Sequence, residues 1–413
     1  MKIGYLMQAG VPDMFGCPLS GPAVHVQQVI THLQGLGHQV TLLALMNGKI
    51  WRSEDLAQFR PVSLPRLESG PFRLVERAVR RTQATLHLPY AAWFESIRFA
   101  QACAQELADC NAFYERMGWV GYGGALAARR LGIPLILEVN GDHLDELESL
   151  GIAPRGMQRQ LSIWLTRRAI GQTAHIVAAG DGWRDKFMRR WQTPPDKITT
   201  VENGTQLVDL LSREELRAFQ PADNNGRSPT IVYLGGFYPW QGVNLLLEAF
   251  AQARQAGTLA RLLLIGSGPQ EAELRSQVAA LRLQDDVTFT GHRALPEMAR
   301  HLAQADIGVS PYCGREEFSG LKLLDYKAAG LAIIASGRDG QPAILENGRS
   351  AHIVPPCDSA ALSQAIIRLC HDQKYRRCLG QNARADAEKH HSWRQTAIQI
   401  AQILEQAMIE AAP

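Results

Sequence analysis

Residues Cys313 to Ser336 read CGREEFSGLKLLDYKAAGLAIIAS. Within them, Ser319-Gly320-Leu321-Lys322-Leu323-Leu324-Asp325 has the form of a loop running into a helix. Pro311 and Gly314 interrupt regular structure just before, and small residues occupy the expected helix start. Leu321, Leu324 and Ala328 recur at i, i+3 and i+7, the spacing of a buried helical stripe. Gly330 closes the helix, and Leu331-Ala332-Ile333-Ile334-Ala335 follows as a short buried strand. A helix N-terminus presents N–H groups without intrahelical acceptors and the positive end of the macrodipole, which suits the turn at 319–322 to phosphate. Lys322 adds a mobile positive charge there. Glu317 stands just ahead of the turn, placed for a sugar, and Asp325 one turn beyond it offers a carboxylate to ribose hydroxyls. The plain alternative is a surface loop before an ordinary α/β helix.

Outward from this stretch the chain alternates strand and helix. Lys2–Met7 reads as a strand, 9–21 as a Gly/Pro-rich loop, Val24 to Gly37 as a helix and Val40–Leu45 as a second strand. This βαβ unit implies a parallel sheet with a ligand crevice at the strand C-termini, and no G-x-G-x-x-G accompanies it. Strands are expected again at 112–116, 133–139 and 175–179, with helices before Gly132 and over 157–170. Thr230–Leu234, 260–265 and 287–290 are the strands of a second series, joined by helices over 244–255 and 270–281. Strict βα alternation in both halves argues two doubly wound domains. The polar run 220–229 is placed beside the linker between them.

Several of these segments resemble one family. Glu317-x7-Asp325, followed by Tyr326-x-Ala328-x-Gly330, resembles the E-x7-E segment of retaining glycosyltransferases, family four, of the GT-B fold. More narrowly it resembles the subgroup written E-x-S-P-L-K-L-x-E-Y-M-A-x-G, with Asp325, Gly320 and Lys327 as departures. Ser20-Gly21-Pro22-Ala23-Val24-His25-Val26 is similar to a first loop near G-G-A-x-x-H-V, and Val201-Glu202-Asn203-Gly204-Thr205 to the turn closing the first domain. Tyr114-Glu115-Arg116, the strand ending at Asn140, and Phe237-x-Pro239-Trp240-x-Gly242 add to the likeness. Where most members carry a diphosphate-clamping Arg and Lys, this chain has Gly236 and Gln241; Lys322, Arg315 or Arg293 is left to supply the charge.

The resemblance implies an α/β chain of two Rossmann-like domains facing a central cleft. Residues 1–210 would bind the acceptor and 211–391 a nucleotide-diphosphate sugar, with the terminal helix in 392–413 crossing back onto the first domain. Glu317, Lys322 and His25 are the catalytic candidates. On the donor side stand Gly21, Gly236, Gln241, Gly266, Gly268, His292, Arg293, Ser319, Gly320, Leu321 and Asp325, with the glycines of 266–268 letting backbone approach the nucleotide. Asn140, Asp142 and His143 edge the acceptor crevice, or are plain loop residues; His25 orients a substrate, or caps and packs. The implied reaction moves a hexose to a hydroxyl of a glycan, lipid-linked sugar or small molecule, with configuration retained, no metal cofactor and no nucleic-acid partner. Two rivals stay open: a catalytically silent nucleotide-sugar-binding protein and a sugar-nucleotide epimerase of the same fold.

Composition is consistent with this reading. The chain has 413 residues, 46% of them hydrophobic and 20% charged, which suits two soluble domains rather than one core. A net charge of +3 points to no polyanionic partner, and no apolar run approaches the roughly 20 residues of a membrane span. The N-terminus reads as a strand rather than a signal peptide. Seven cysteines, with no C-x-x-C, are expected as reduced thiols of a cytoplasmic protein. Residues 72–108 are expected to be mostly helical, with Arg73, Arg77, Arg80 and Arg81 at helical spacing among Leu74, Val75, Ala78 and Val79. Either the arginines are the solvated face of a core-packed helix, or the segment docks on the inner face of an anionic membrane.

Overall fold

A computed structural model of the chain describes residues 1–16, 19–141, 143–149, 151–219, 227–313, 320–337 and 342–411. The chain divides into two compact units, Met1–Glu202 with Thr396–Pro413, and Asn203–Gln395. The boundary lies ahead of the expected 210/211 because Leu207, Leu211 and Leu216 are already part of the second unit's core.

In the first unit, β1 (Lys2–Met7), β2 (Gln39–Met46), β3 (Lys49–Ser53), β4 (Arg60–Pro61), β5 (Ala112–Arg116), β6 (Leu135–Val139), β7 (His175–Ala178) and β8 (Ile198–Thr200) form one sheet. Its order is β4-β3-β2-β1-β5-β6-β7-β8. From β2 through β8 the pairings are parallel, whereas β3 and β4 add an antiparallel edge. The sequence reading missed this edge. Asn47 and Gly48 have φ of 51° and 73°, the paired positive values of a tight hairpin that an Asn-Gly dipeptide favours.

The second sheet holds β9 (Thr230–Leu234), β10 (Arg261–Ile265), β11 (Val287–Gly291), β12 (Ile307–Ser310), β13 (Ala332–Ser336) and β14 (Ala351–Val354). It is parallel throughout, in the order β11-β10-β9-β12-β13-β14. All residues of β12 and β13 are buried, as expected where helices cover both faces of a sheet. Helix Val243–Gln255 supplies one such cover through Leu246, Leu247 and Phe250. Strand order reverses between β9 and β12, so the crevice beyond their C-terminal ends is a switch point of the kind where α/β sheets bind ligands. In the first sheet the reversal lies between β1 and β5.

Cysteine chemistry departs from expectation. Cys313, just past β12, forms a disulfide with Cys357, just past β14, while Cys103, Cys110, Cys370 and Cys378 are free thiols. The two partners are 44 residues apart and only the sheet brings them together, so spacing along the chain gave no sign of the pair.

Candidate active site

The described part of the segment Cys313–Ser336 contains helix Leu321–Ala328, and β13 follows it. Gly320 is the N-cap and contributes no side chain to the cap; its carbonyl accepts from Leu323 N at 2.8 Å and Leu324 N at 3.2 Å. The N–H groups of Leu321 and Lys322 therefore have no acceptor within the helix, and they lie at the switch point. Lys322 is fixed by the loop after β9. Its ammonium donates to Gln241 Oε1 and lies 4.9 Å and 5.0 Å from the ring centroids of Tyr233 and Tyr312. Gln241 Nε2 donates to the Tyr312 hydroxyl at 3.1 Å, and the Tyr233 hydroxyl lies 3.0 Å from Gln241 Oε1 and 2.8 Å from the Gly236 carbonyl. Lys322, on the helix, thus sets its ammonium against residue 241.

Asp325 lies on the same helix. Thr205 donates to its Oδ1 at 2.6 Å, and burial, only partly offset by that bond, pushes the carboxyl up to about 7. Lys327, the other departure in the motif, is fully buried; it pairs with Asp386, donates to the Ile344 carbonyl at 2.9 Å and meets His391 Nε2 at 2.9 Å. It replaces an apolar side chain with a lysine that ties this helix to helix Gln373–His390.

The glycines at 266 and 268 are required by the packing of the protein's own loops. A Cβ on Gly266 would lie 2.0 Å from the Gly235 carbonyl oxygen, and one on Gly268 would lie 2.5 Å from Phe237 N. Loop packs against loop at these positions, so the glycines are needed by the protein's own backbone. Gly266 also has φ of 133°, a value that other residues rarely adopt. Gly236 and Gln241 lie in the Lys322 cluster, whereas His292 and Arg293 are exposed, Arg293 reaching Glu297 at 3.6 Å. Glu317, Ser319 and Arg315 lie outside the described residues.

In the first unit His25 is buried in helix Gly21–Gly35, of which Gly21 is the exposed first residue. Its Nε2 lies 2.8 Å from Glu138 Oε1 on β6. Tyr5 and Tyr114 donate to the same carboxylate at 3.0 Å and 2.9 Å, and the Arg116 guanidinium is 3.8 Å away. Burial alone would raise Glu138, but His25, Arg116 and the Tyr114 hydroxyl hold it down to about 2. Glu138 was not singled out from sequence. A carboxylate within the apolar run Ile133-Pro-Leu-Ile-Leu-Glu-Val139 was the available signal, since a buried charge requires partners. Glu115, on the other face of the sheet, lies against the first turn of helix Gly123–Leu131, and burial lifts it to about 8.

Asn140 follows β6, and both of its amide atoms are buried without a hydrogen-bond partner among the described residues. A buried amide in that state is suited to a ligand or an ordered water. His143 instead bonds the Met117 carbonyl through Nε2 at 2.8 Å, and Gly10 packs against its ring. Asp142 lies outside the described residues. Among those described, no group of three or more His, Cys, Asp or Glu side chains is placed to hold a metal ion.

Two α/β units, each with a largely parallel sheet and a switch point in its strand order, match the GT-B architecture, and solved structures agree over nearly the whole chain. Anabaena HepE in complex with UDP superposes with a TM-score of 0.70 at 18% identity, covering 98% of this chain and all of that one. Sucrose-phosphate synthase from Thermosynechococcus elongatus also gives 0.70, at 20% identity and full coverage of both chains. Two family models lie end to end on the sequence: "Glycosyl transferase 4-like domain" over residues 20–204 and "Glycosyl transferases group 1" over 228–372. The chain is a transferase, a glycosyltransferase of the GT-B fold. Within that class its N-terminal half is similar to the 4-like domain and its C-terminal half to the group 1 domain. The MMP alpha-(1->4)-mannosyltransferase of Mycolicibacterium hassiacum is 24% identical over 411 residues, 95% of this chain and 96% of that protein. The alpha-D-kanosaminyltransferase of Streptomyces kanamyceticus is 25% identical over 284 residues, covering 67% and 71%.

Proposed function

We propose that this glycosyltransferase moves a hexose from a nucleoside diphosphate sugar to an acceptor hydroxyl with retention at the anomeric carbon, in the assembly of a cell-surface polysaccharide or glycolipid. The bond from the anomeric carbon to the diphosphate breaks, and a bond to the acceptor oxygen forms. The acceptor proton leaves with the departing nucleoside diphosphate. The observation that carries the reading is Lys322, held by Gln241, Tyr233 and Tyr312 beside the N-terminus of its helix at the switch point. An ammonium and backbone N–H groups fixed in advance stabilise charge developing on a leaving diphosphate without reorganising. In this role they need no metal cofactor. Asp325 takes the ribose hydroxyls, Glu317 the hydroxyls of the transferred sugar, and the unpartnered amide of Asn140 takes part in seating the acceptor. His25 acts by fixing the start of its helix through Glu138. UDP in complexes of the structurally similar HepE supports a nucleotide donor, and the mannosyl and kanosaminyl transfers named for the relatives support a hexose. We place the reaction on the cytoplasmic side of the membrane.

The test is thermal unfolding against UDP, GDP, ADP, dTDP and CMP, then against their sugar conjugates. A nucleotide at 100 times its Kd stabilises by about 2.7 kcal/mol. Lys322→Ala should abolish that stabilisation or cut turnover by roughly ten- to a thousandfold, the range for losing one transition-state contact. Unchanged binding and turnover in the variant would place the diphosphate elsewhere.

A further inference from the structure

Helix Gly70–Thr85 is attached to the first unit by its charged side. Phe72, Glu76, Arg80 and Gln83 recur at i, i+4, i+8 and i+11 and turn inward. Glu76 pairs with Arg98 and with Arg80, and Arg80 also pairs with Glu95. The Arg98 guanidinium lies 5.3 Å from the Phe72 ring, and that of Arg80 lies 5.3 Å and 5.8 Å from Tyr90 and Phe94. No residue of the helix is buried. Its other large apolar residues point the other way: Leu74 is 62% exposed and Val75 56%, with Ala78 and Val79 beside them. An amphipathic surface helix ordinarily buries its apolar stripe against the core. Here the stripe faces solvent, which overturns the expectation of a core-packed helix with a solvated arginine face.

The exposed surface extends beyond the helix. Leu86, Leu88 and Trp93 follow it, and all three are exposed. Gln158 Nε2 donates to the Tyr90 carbonyl at 2.9 Å, which joins this segment to helix Gly156–Gly171, where Met157 and Trp164 are exposed as well. Arg73, Arg77 and Arg81 line one border of the apolar stripe at four-residue spacing, and Arg167 and Arg168 are exposed on the second helix. Glu76 is the one acid between residues 70 and 94, against four arginines, and it is turned inward and neutralised. The outward face of this stretch is therefore apolar and positive.

We propose that this face docks on an anionic lipid bilayer, with the leucines, valines and tryptophans entering the headgroup boundary and the arginines meeting lipid phosphates. Leu, Val and Trp on one side of a helix with arginine along its border is the pattern of an interfacial helix lying in the membrane plane. Contiguous apolar patches rarely stay uncovered on soluble proteins. A second copy of the chain fits the face less well, because a two-fold contact would set this arginine-bordered patch against itself. No described helix is long and apolar enough to cross a membrane, so the contact is peripheral. The inference gives the proposed transferase a route to a lipid-linked acceptor and rests on that reading for its purpose; docking itself is measured without donor or acceptor.

The experiment is flotation with phosphatidylcholine vesicles, with and without phosphatidylglycerol. The wild-type chain should float only with the anionic vesicles at low salt, and should detach at 1 M salt, where screening acts within about 3 Å. Arg73→Ser/Arg77→Ser/Arg81→Ser should lower the partition coefficient about a hundredfold, the combined effect of three basic residues at a membrane surface. Leu74→Ser/Val75→Ser/Val79→Ser should abolish flotation. Both variants should keep the wild-type melting temperature and its shift with the nucleotide that binds, which separates loss of docking from loss of the donor site. Wild-type protein that stays unbound at low salt, or an apolar variant that floats like wild type, would overturn the proposal. So would a wild-type dimer in sedimentation velocity that the apolar variant disperses, which would assign the face to a second copy.

Discussion

Glu138→Gln keeps the shape of the side chain at the centre of the first unit's buried network and removes its charge. The native carboxylate is paired with His25 Nε2 at 2.8 Å, accepts from the Tyr114 hydroxyl at 2.9 Å and the Tyr5 hydroxyl at 3.0 Å, and has the Arg116 guanidinium at 3.8 Å. Glutamine retains one acceptor oxygen and turns an NH2 group toward partners that had been served by the other. Breaking a buried ion pair by altering one partner costs about 3–5 kcal/mol. A loss of 1 kcal/mol lowers the midpoint of a domain of about 150–250 residues by roughly 2–4 °C. Calorimetry at pH 7 should therefore show the first unit melting about 10 °C lower in the variant. Glu138 is held down to about 2 from a usual 4.5, so its stabilisation is complete above pH 4.5 and is lost as the pH falls through 2. The gap between wild type and variant should narrow on acidification. A shift of less than about 3 °C at pH 7, smaller than 1 kcal/mol can explain, would show that the network is not an important source of stability.

Asp325, lifted to about 7 by burial, is best able to accept ribose hydroxyls once ionised, so calorimetric nucleotide affinity should rise between pH 6 and pH 8. Thr205→Val removes the one bond that lowers this group and should move the rise to higher pH; affinity flat across this range in both proteins would separate Asp325 from the ligand. Glu115, raised from 4.5 to about 8, favours folding fully below pH 4.5 and loses that contribution as the pH climbs through 8. Glu115→Gln should therefore melt increasingly above wild type between pH 6 and pH 9, and a gap independent of pH would mean the carboxyl ionises normally in the fold.

Much of the scaffold was legible because parallel strands covered on both faces appear as unbroken apolar runs, and Leu331–Ala335 and Thr230–Leu234 both announce themselves this way. The helix-entry turn at Gly320 was readable from small residues preceding an apolar period. What escaped depends on neighbours distant in sequence. Cys313 and Cys357 meet only because β13 lies between β12 and β14. Gly266 has a steric reason to be glycine in the close approach of Gly235, which a single sequence does not place beside it. Helix Gly70–Thr85 has a clear two-sided pattern, but periodicity states that a helix has sides and not which side is turned inward; Arg98 and Glu95, on the next helix, decide that. The hairpin at Asn47-Gly48 was the exception, a local signal left unread.

The contact between Lys322 and Gln241 bears on how this enzyme can change. A single basic group is shared between a loop position and a helix position, with two tyrosine rings and one amide closing around it. Lysine at 241 beside Lys322 would crowd two ammonium groups into one enclosure, whereas losing both would leave it with none. Moving the basic residue from one position to the other passes through a doubly charged or an uncharged enclosure, so the effect of a substitution at 241 should depend on what stands at 322. Libraries that vary both positions together should recover combinations that single-site libraries miss.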